Sequence, residues 1–364
     1  MEKNYYIDND SMKFLEKYLD GVSPSGEETE GQKIWINHMK TFVDKIHVDL
    51  YGTAVGIINP KKSKHKLVIE AHADEISWYV NYIAEDGIIY VSRNGGTDHQ
   101  IAISKKVVIH TKKGPVYGIF GWPAIHIRKS TDEKHPNVDN IFIDIGASNK
   151  NEVINLGVHV GCIVTYPDKF FIMNDNYFVS RALDNKIGGF IIAEVTKMLV
   201  ENSIDLQYGL YIVNSVQEEV GLKGAKVISQ FLKPKIAIVT DVTHDTSIPM
   251  VDKKTQGDIK CGLGPVIGYA TSIHKNLRET IIDSAKNNEI PFQRLVSSRY
   301  TGTDTDAFAY SNKGVYSALI SIPLRYMHTT VEMVHKSDVE KTVSLIFETL
   351  QEINNNRYNI FFND

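Results

Sequence analysis

The sequence predicts an α/β protein that carries a small all-β domain inserted into its α/β framework. Two observations support this fold class. Apolar strands alternate with helical segments before residue 75 and again after about residue 168, a pattern typical of α/β folds. Between those positions helical periodicity disappears, and short apolar runs alternate with glycine turns, as in a barrel or sandwich. At 364 residues the chain is long enough for two such domains.

The composition is that of a globular protein with no general affinity for polyanions. Hydrophobic residues make up 42% and charged residues 23% of the chain, which are ordinary values. The 40 basic and 44 acidic side chains give a net charge of −4, which disfavours binding to nucleic acid or anionic membranes. No apolar signal core follows the polar amino terminus, and no stretch approaches a membrane span. The only cysteines, Cys162 and Cys261, provide neither a disulfide framework nor a cysteine zinc site, so a reducing cytoplasm is expected.

The first part of the α/β framework begins with helices and ends with a strand that runs into polar residues. Apolar side chains at helical spacing predict helices over residues 11–19 and 27–43. Strands are predicted at 54–58 and 67–71, and His72 follows the second. The inserted all-β segment then contains short apolar runs at 88–91, 107–110, 116–120, 141–145 and 158–164.

Strands and helices alternate again after this segment. A long helix at 187–200 is apolar nearly all round, which predicts that it is buried. A strand is predicted from Leu206 to Asn214, and Ser337 with Glu340 forms a capping box that predicts the start of the last helix. The remaining elements are helices at 222–232, 277–287 and 306–311 and strands at 235–240, 292–296 and 315–322.

The stretch from Ser215 to Gly224 is the most informative part of the chain. It places two adjacent carboxylates, Glu218 and Glu219, where a buried strand ends and a helix begins. In an open α/β sheet, ligands bind at the carboxyl ends of the strands. Neighbouring carboxylates repel each other there, and they need a cation or a shared proton to stay together. A single Glu-Glu pair could also be a solvated acidic turn, so its role depends on the rest of the chain.

Candidate metal ligands occupy equivalent positions along the chain, each at the end of a predicted strand or at the start of the buried helix. They are His72, Asp184, Glu219, Asp241 and His328. Two histidines with three carboxylates and no cysteine suit Zn²⁺, Co²⁺ or Mn²⁺. This set exceeds what one open catalytic ion needs, and it suits two ions bridged by one carboxylate. Taken singly, each residue could instead be structural, for example a cap at Asp184 or Asp241.

Two further carboxylates complete the predicted site. Asp74 lies two residues after His72, on the same face if the strand continues. It could accept the imidazole N–H that faces away from the metal. Glu218 remains as the carboxylate that no metal requires. It suits the role of general base for the attacking water and, later, of the acid that protonates the leaving amine.

The segments that carry these residues resemble the M42 metallopeptidases, a family that includes glutamyl and tetrahedral aminopeptidases and some members long named endoglucanase M. They occur in the order of that family and span nearly the whole chain. The segments are His72–Ile76, Ala182–Gly189, Gln217–Gly221, Thr240–Val242, Gly302–Asp304 and Pro323–His328.

The resemblance implies a phosphorylase/hydrolase-like three-layer catalytic domain with an inserted barrel-like domain. The expected boundaries are 1–74 and 169–364 for the catalytic domain and 75–168 for the inserted domain. The family also implies a peptide substrate and large homo-oligomers, often dodecamers, in which the inserted domain makes contacts.

The resemblance further implies two divalent ions per subunit. One ion would be held by His72, Asp184 and Asp241, and the other by Asp184, Glu219 and His328. Asp184 would bridge the ions, Glu218 would be the base, and Asp74 would support His72. Zn²⁺ and Co²⁺ are the expected metals, with Mn²⁺ as a further candidate.

The predicted activity is hydrolysis of the N-terminal residue from peptides, and three alternatives remain. A metal-dependent deacylase of N-acyl amino acids could use the same centre. A glycosidase fits poorly, because adjacent residues such as Glu218 and Glu219 do not flank a sugar bond. A scaffold that retains a structural metal site is the non-enzymatic alternative. The preferred N-terminal residue stays open, since each of three cations could meet an acidic substrate or be structural: Lys186, Arg299 and Arg325.

Overall fold

The computed structural model describes residues 5–62, 64–128 and 135–362, so the polar start of the chain, Met1–Asn4, lies outside the described residues. The helices within these ranges are α1 (Asn9–Asp20), α2 (Thr29–Met39), α3 (Lys150–Asn155), α4 (Leu183–Glu201), α5 (Lys223–Leu232), α6 (Lys253–Gln256), α7 (Lys275–Asn287), α8 (Thr305–Ala309), α9 (Lys336–Glu352) and α10 (Tyr358–Phe362). The strands are β1 (Lys45–Val48), β2 (Ala54–Ile58), β3 (Lys66–His72), β4 (Ser77–Ile83), β5 (Ile89–Asn94), β6 (Lys106–Thr111), β7 (Gly114–Gly121), β8 (Phe142–Asp144), β9 (Ile163–Thr165), β10 (Phe171–Met173), β11 (Tyr177–Ser180), β12 (Gly209–Ser215), β13 (Ile236–His244), β14 (Val266–Tyr269), β15 (Gln293–Val296), β16 (Tyr316–Arg325) and β17 (Glu332–His335).

One large sheet contains eleven of these strands, and its central strands run parallel. Their order is β1-β2-β12-β3-β13-β16-β17-β11-β10, with β14 paired to β16 and β15 paired to β14. The pairs β12–β3, β3–β13 and β13–β16 are parallel, whereas outer pairs such as β1–β2 and β16–β17 are antiparallel. The carboxyl ends of four neighbouring strands therefore meet at one edge, which is where such sheets bind ligands.

Helices cover both faces of this sheet, because alternate side chains of the central strands point to opposite sides. In β3, Leu67 and Ile69 belong to a hydrophobic cluster that includes α1, α4 and α9. Val68, between them in sequence, packs into a second cluster with α5 and α8. The predicted three-layer α/β architecture is therefore confirmed, and α4 is buried along nearly its whole length, as its apolar sequence predicted.

Six strands form a closed barrel in the order β4-β5-β8-β7-β6-β9, and they all lie between Ser77 and Thr165. Its core includes Trp78 and Phe120. The predicted barrel-like architecture is confirmed, but the sequence analysis missed the first strand, β4. The pairing of β4 with β5 shifts register between Val80 and Tyr82, and this irregularity breaks the apolar alternation that identifies a strand.

Two of the differences from the predicted element boundaries have a clear structural cause. Strand β13 continues past Asp241 to His244, because it pairs with β16 along its whole length. The last helix is capped by His335, whose side chain accepts the Ser337 N–H. Glu340 instead accepts the N–H of Ile7 at 3.2 Å, so the capping box predicted for this helix was wrong. The carboxylate of Glu340 is thus hydrogen-bonded to a backbone group distant in sequence and does not cap the helix.

Cys162 and Cys261 are both buried and free. Within the described ranges, no helix combines the length and the apolar character that crossing a membrane requires.

A buried ion cluster ties the start of α4 to the segment that follows β3. The Glu75 carboxylate lies 3.2 Å from Nζ of Lys186 and also pairs with the Arg181 guanidinium, and all three side chains are buried. Nζ of Lys186 donates in addition to the carbonyl of Gly21 at 2.6 Å. Burial by itself raises the pKa of Glu75, but the two cations outweigh burial and lower that pKa to about 2.

We predict that Lys186→Met destabilises the protein by roughly 3–5 kcal/mol, because it leaves a buried carboxylate short of one of its partners. The matched control is Lys150→Met, which removes a pair with Glu85 whose side chains are 38% and 83% exposed. That change is expected to cost no more than about 1 kcal/mol. Urea unfolding measures both free energies. Equal losses in the two variants would show that the buried cluster has no special role.

Candidate metal centre

The candidate ligands come together at the carboxyl edge of the parallel strands. His72 ends β3, and its register partner in the parallel neighbour β12 is Ser215, the last residue of that strand. Glu219 follows β12, Asp241 lies in β13, and Asp184 lies at the start of α4. With His328, which follows β16, these residues line one pocket: His72, Asp184, Glu219, Asp241 and His328. Neighbouring strands thus bring together side chains that are far apart in sequence.

The Asp184 carboxylate lies between the two histidines. Its Oδ1 is 3.2 Å from Nε2 of His72, and its Oδ2 is 3.3 Å from Nε2 of His328. Asp241 Oδ1 lies 3.8 Å from the same nitrogen of His72, and Glu219 Oε1 lies 3.4 Å from that of His328. The donors therefore divide into two groups that share one carboxylate.

Burial makes the charged carboxylates of this group costly. Burial and the charge of Asp184 raise the pKa of Glu219, and burial raises the pKa of Asp241 well above its usual value although His72 opposes it. Burial lowers the pKa of His328, but the carboxylates of Asp184 and Glu219 outweigh burial and raise it to about 11. The group therefore favours additional positive charge among its carboxylates.

The donor set fits divalent transition metals. One donor atom each from His72, Asp184 and Glu219 lies within 4.8 Å of the others. Glu219 Oε1 is buried and has no hydrogen-bond partner among the described residues, so it is available as a ligand. Imidazole nitrogen with carboxylate oxygen, and no thiolate in the group, is a combination that Zn²⁺, Co²⁺ and Mn²⁺ accept.

Asp74 connects His72 to the loop that carries the paired glutamates. Its Oδ1 lies 3.3 Å from Nδ1 of His72, the ring nitrogen that faces away from Asp184. The same carboxylate accepts the backbone N–H groups of Glu218 at 2.9 Å and Glu219 at 3.2 Å, and the hydroxyl of Ser25 at 2.6 Å. One buried side chain thus orients a histidine and fixes the loop beside it.

Glu218 lies beside the group without joining either set of close donors. Its Oε2 is 3.9 Å from Nε2 of His72, and the side chain lines the same pocket while remaining only 10% exposed. Burial raises the pKa of Glu218 to about 10, with Asp241 adding to the effect and His72 opposing it. A carboxyl at the wall of an open pocket, whose protonation depends on the charges around it, can take part in proton transfer when neighbouring cations favour its ionised form.

Sequence reasoning missed Glu332, which holds the backbone of two candidate ligands. This buried side chain accepts the N–H of Asp184 at 3.0 Å through one oxygen and the N–H of His328 at 2.7 Å through the other. The signal that could have revealed it is an acidic residue directly before the apolar pair Met333 and Val334 of the strand Glu332–His335. A buried charged side chain of that kind needs specific partners.

The barrel also reaches the site, through the loop after β5. Nδ1 of His328 lies 3.1 Å from the carbonyl oxygen of Gly96, to which it can donate its proton. That hydrogen bond leaves Nε2 facing Asp184 and Glu219. A Cβ atom at Gly96 would lie 2.7 Å from Nδ1 of His328, so the close approach requires glycine. The sequence analysis treated this position only as part of a turn.

The pocket that the candidate ligands line has a volume of about 990 Å³. Residues 295–297 and 300–303, together with Tyr310, also line it. Of the three cations left open by the sequence, Lys186 is fully buried against Glu75, and Arg325 pairs with Asp245 at 2.7 Å. Arg299 is exposed, and none of the three lines this pocket.

The chain is similar to known proteins over most of its length. A family model described as M42 glutamyl aminopeptidase matches residues 52–345. A lysyl aminopeptidase from Pyrococcus furiosus is 32% identical over 346 residues, which are 94% of this chain and 97% of the relative.

Solved structures are similar over nearly the whole chain. A TET aminopeptidase from a Thaumarchaeota archaeon superposes with a TM-score of 0.91 at 28% identity, covering 97% of this chain and 99% of its own. A Pyrococcus horikoshii TET1 peptidase, described as assembling into a tetrahedron or a large octahedral shell, gives a TM-score of 0.81 at 28% identity, covering 93% and 98%. The chain therefore belongs to the M42 glutamyl aminopeptidase family and is a hydrolase that acts on peptides.

Proposed function

We propose that this enzyme is a dinuclear-metal aminopeptidase that removes N-terminal residues from peptides. The observation that carries the proposal is the position of Asp184, with one oxygen 3.2 Å from Nε2 of His72 and the other 3.3 Å from Nε2 of His328. A carboxylate that turns one oxygen to each imidazole suits a bridge between two ions. Membership of the M42 family supports the peptide substrate.

The remaining donors complete two sites of three ligands each. Asp241 would join His72 and Asp184 at one ion, and Glu219 would join Asp184 and His328 at the other. When bound, a pair of divalent ions polarises the scissile carbonyl and lowers the pKa of the attacking water. Zn²⁺, Co²⁺ or Mn²⁺ would suit these ligands.

Glu218 is the general base of the proposed reaction. It lies at the pocket wall, and neither proposed ion requires it as a ligand. Its carboxylate would take the proton of the attacking water and then give it to the nitrogen of the cleaved peptide bond. Each turnover would thus leave Glu218 ionised again. Asp74 would hold His72 and the loop of Glu218 in place during both transfers.

The proposed metal centre favours a free α-amino group over an acylated one. The nitrogen of a free amine has a lone pair that a divalent ion can bind, whereas the lone pair of an amide nitrogen is delocalised into its carbonyl group. This argument supports an aminopeptidase over a deacylase of N-acyl amino acids. It leaves the preferred N-terminal side chain open.

The test of the proposed function is a substrate panel on one metal-loaded sample whose metal content is measured by elemental analysis. We expect two ions per chain, cleavage of aminoacyl anilides, and no cleavage of the same anilides after N-acetylation. Hydrolysis of N-acyl amino acids without hydrolysis of the anilides would replace the proposal with the deacylase.

Replacing the proposed base should separate catalysis from metal binding. We predict that Glu218→Gln lowers kcat by about 10²- to 10⁴-fold, because the amide cannot accept the proton. Its metal content should equal that of the wild type, since Glu218 is not a proposed ligand. Glu201→Gln makes the same substitution at an exposed position at the end of α4 and should keep full activity. A Glu218→Gln enzyme with normal kcat would remove Glu218 from the mechanism.

Glu332 should control the geometry of the ligands. We predict that Glu332→Gln weakens metal binding by about 10- to 100-fold. The amide has only one oxygen that can accept a backbone N–H, and its NH₂ group, itself a donor, would face the other N–H. Competition with a chromophoric chelator measures the affinity. The control is Glu16→Gln, at an exposed position on α1. Wild-type metal affinity in Glu332→Gln would exclude a positioning role.

We also propose that residues 75–168 act as a separate inserted domain through which the enzyme forms homo-oligomers. The barrel exposes large apolar side chains on and after β7: Tyr117 is 71%, Ile125 70% and Ile127 75% exposed. Burying such side chains against a second copy would be favourable. The shells described for the Pyrococcus horikoshii peptidase support an assembly of this kind. A dodecamer is one stoichiometry that we propose for it.

A further inference from the structure

A second groove, of about 1040 Å³, lies at the opposite ends of the strands that carry the metal centre. Lys235, which precedes β13, and Tyr316, which begins β16, both line it. Asp241 and His328 belong to the other ends of the same two strands. Of the residues that line the two cavities, only Tyr310 is shared. The groove is therefore a separate feature of the molecule.

The lining of this groove is basic in a protein whose net charge is −4. Four lysines line it, and none of its described lining residues is acidic: they are Lys233, Lys235, Lys275 and Lys313. Lys233, Lys275 and Lys313 form no ion pair with a carboxylate in the described part of the chain. Cations gathered in a concave surface concentrate positive electrostatic potential there and attract anions.

Helix α7 begins in the groove and adds a fixed positive dipole end. The helix has 13 residues, and its N-cap, His274, lines the groove together with Lys275. The N–H groups of a first helical turn have no partner within the helix. The His274 ring accepts one of them, from Asn276, at 3.3 Å. The amino end of the helix is thus suited to an anion.

Ser272 provides an independent sign of a ligand. It lines the groove two residues before the N-cap of α7, and its side chain is only 5% exposed. Its hydroxyl is buried and finds no hydrogen-bond partner among the described residues. A buried hydroxyl without a partner costs free energy that an acceptor would recover. Because Ser272 lines the groove beside the start of α7, its hydroxyl is a candidate donor to an oxyanion bound there.

We propose that this groove binds a small oxyanion of the phosphate type, seated between the amino end of α7, the Ser272 hydroxyl and the surrounding lysines. Lysine ammonium groups, a helix amino end and a hydroxyl together offer donors from several directions, which suits a tetrahedral anion better than a planar carboxylate. The volume exceeds that of a bare phosphate, and Tyr310 and Tyr316 border it. A phosphate ester with an organic group therefore fits as well as the free anion.

Isothermal titration calorimetry of the metal-loaded enzyme tests this proposal, with inorganic phosphate and phenyl phosphate as probes and sodium chloride holding the ionic strength constant. We expect saturable binding that Ser272→Ala weakens about tenfold, as for loss of a hydrogen bond to a charged group. Lys275→Gln should weaken it about threefold. Tighter binding of phenyl phosphate would identify an ester as the better ligand, and equal binding would identify the free anion.

The matched control is Lys286→Gln, which removes an exposed lysine from the other end of α7 and should leave the affinity unchanged. Binding that Ser272→Ala and Lys275→Gln do not affect would place the anion at the metal centre and overturn the proposal. Absence of saturable binding, or equal weakening by all three substitutions, would also overturn it. Because peptide hydrolysis is not the readout, failure here leaves the proposed aminopeptidase reaction untouched.

Discussion

Buried carboxylates that face one pocket repel one another, and this repulsion is the constraint on which the middle of the molecule depends. Asp184, Glu218, Glu219 and Asp241 face one cavity beside two imidazoles. Holding their charges together away from bulk water costs free energy unless positive charge lies among them. The proposed pair of divalent ions would supply that charge. Metal binding and the local stability of this part of the fold would then be one equilibrium.

The sheet brings the ends of its parallel strands to one edge, and this places the carboxylates and imidazoles side by side. Hydrogen bonds from other parts of the chain then fix the positions of these residues. Parallel pairing sets His72 beside the end of β12, from which the loop of the paired glutamates leaves. Glu332 fixes the backbone of Asp184 and His328 through its two carboxylate oxygens. The barrel contributes the carbonyl of Gly96 to His328. The inserted domain thus contacts a proposed metal ligand, in addition to its proposed role in the assembly.

The sequence pointed to the candidate ligands because each follows a predicted strand or lies at the start of a predicted helix, and the structure brings these residues to one pocket. The sequence did not show what Glu332 or Gly96 contacts, since their roles are backbone hydrogen bonds that join residues distant in the chain. The same limit applies to Lys186. The sequence left it open as a substrate contact, whereas the fold buries it against Glu75 and the carbonyl of Gly21. Partners that come from remote segments carry no local pattern.

The proposed metal centre depends on Asp184 joining two metal ions. X-ray diffraction from crystals of the metal-loaded enzyme, recorded on both sides of the absorption edge of the metal, tests this bridge. We expect two anomalous peaks, one on each side of the Asp184 carboxylate, the first next to His72 and Asp241 and the second next to Glu219 and His328. A single peak bound by only one of the two histidines, or peaks elsewhere in the molecule, would contradict it.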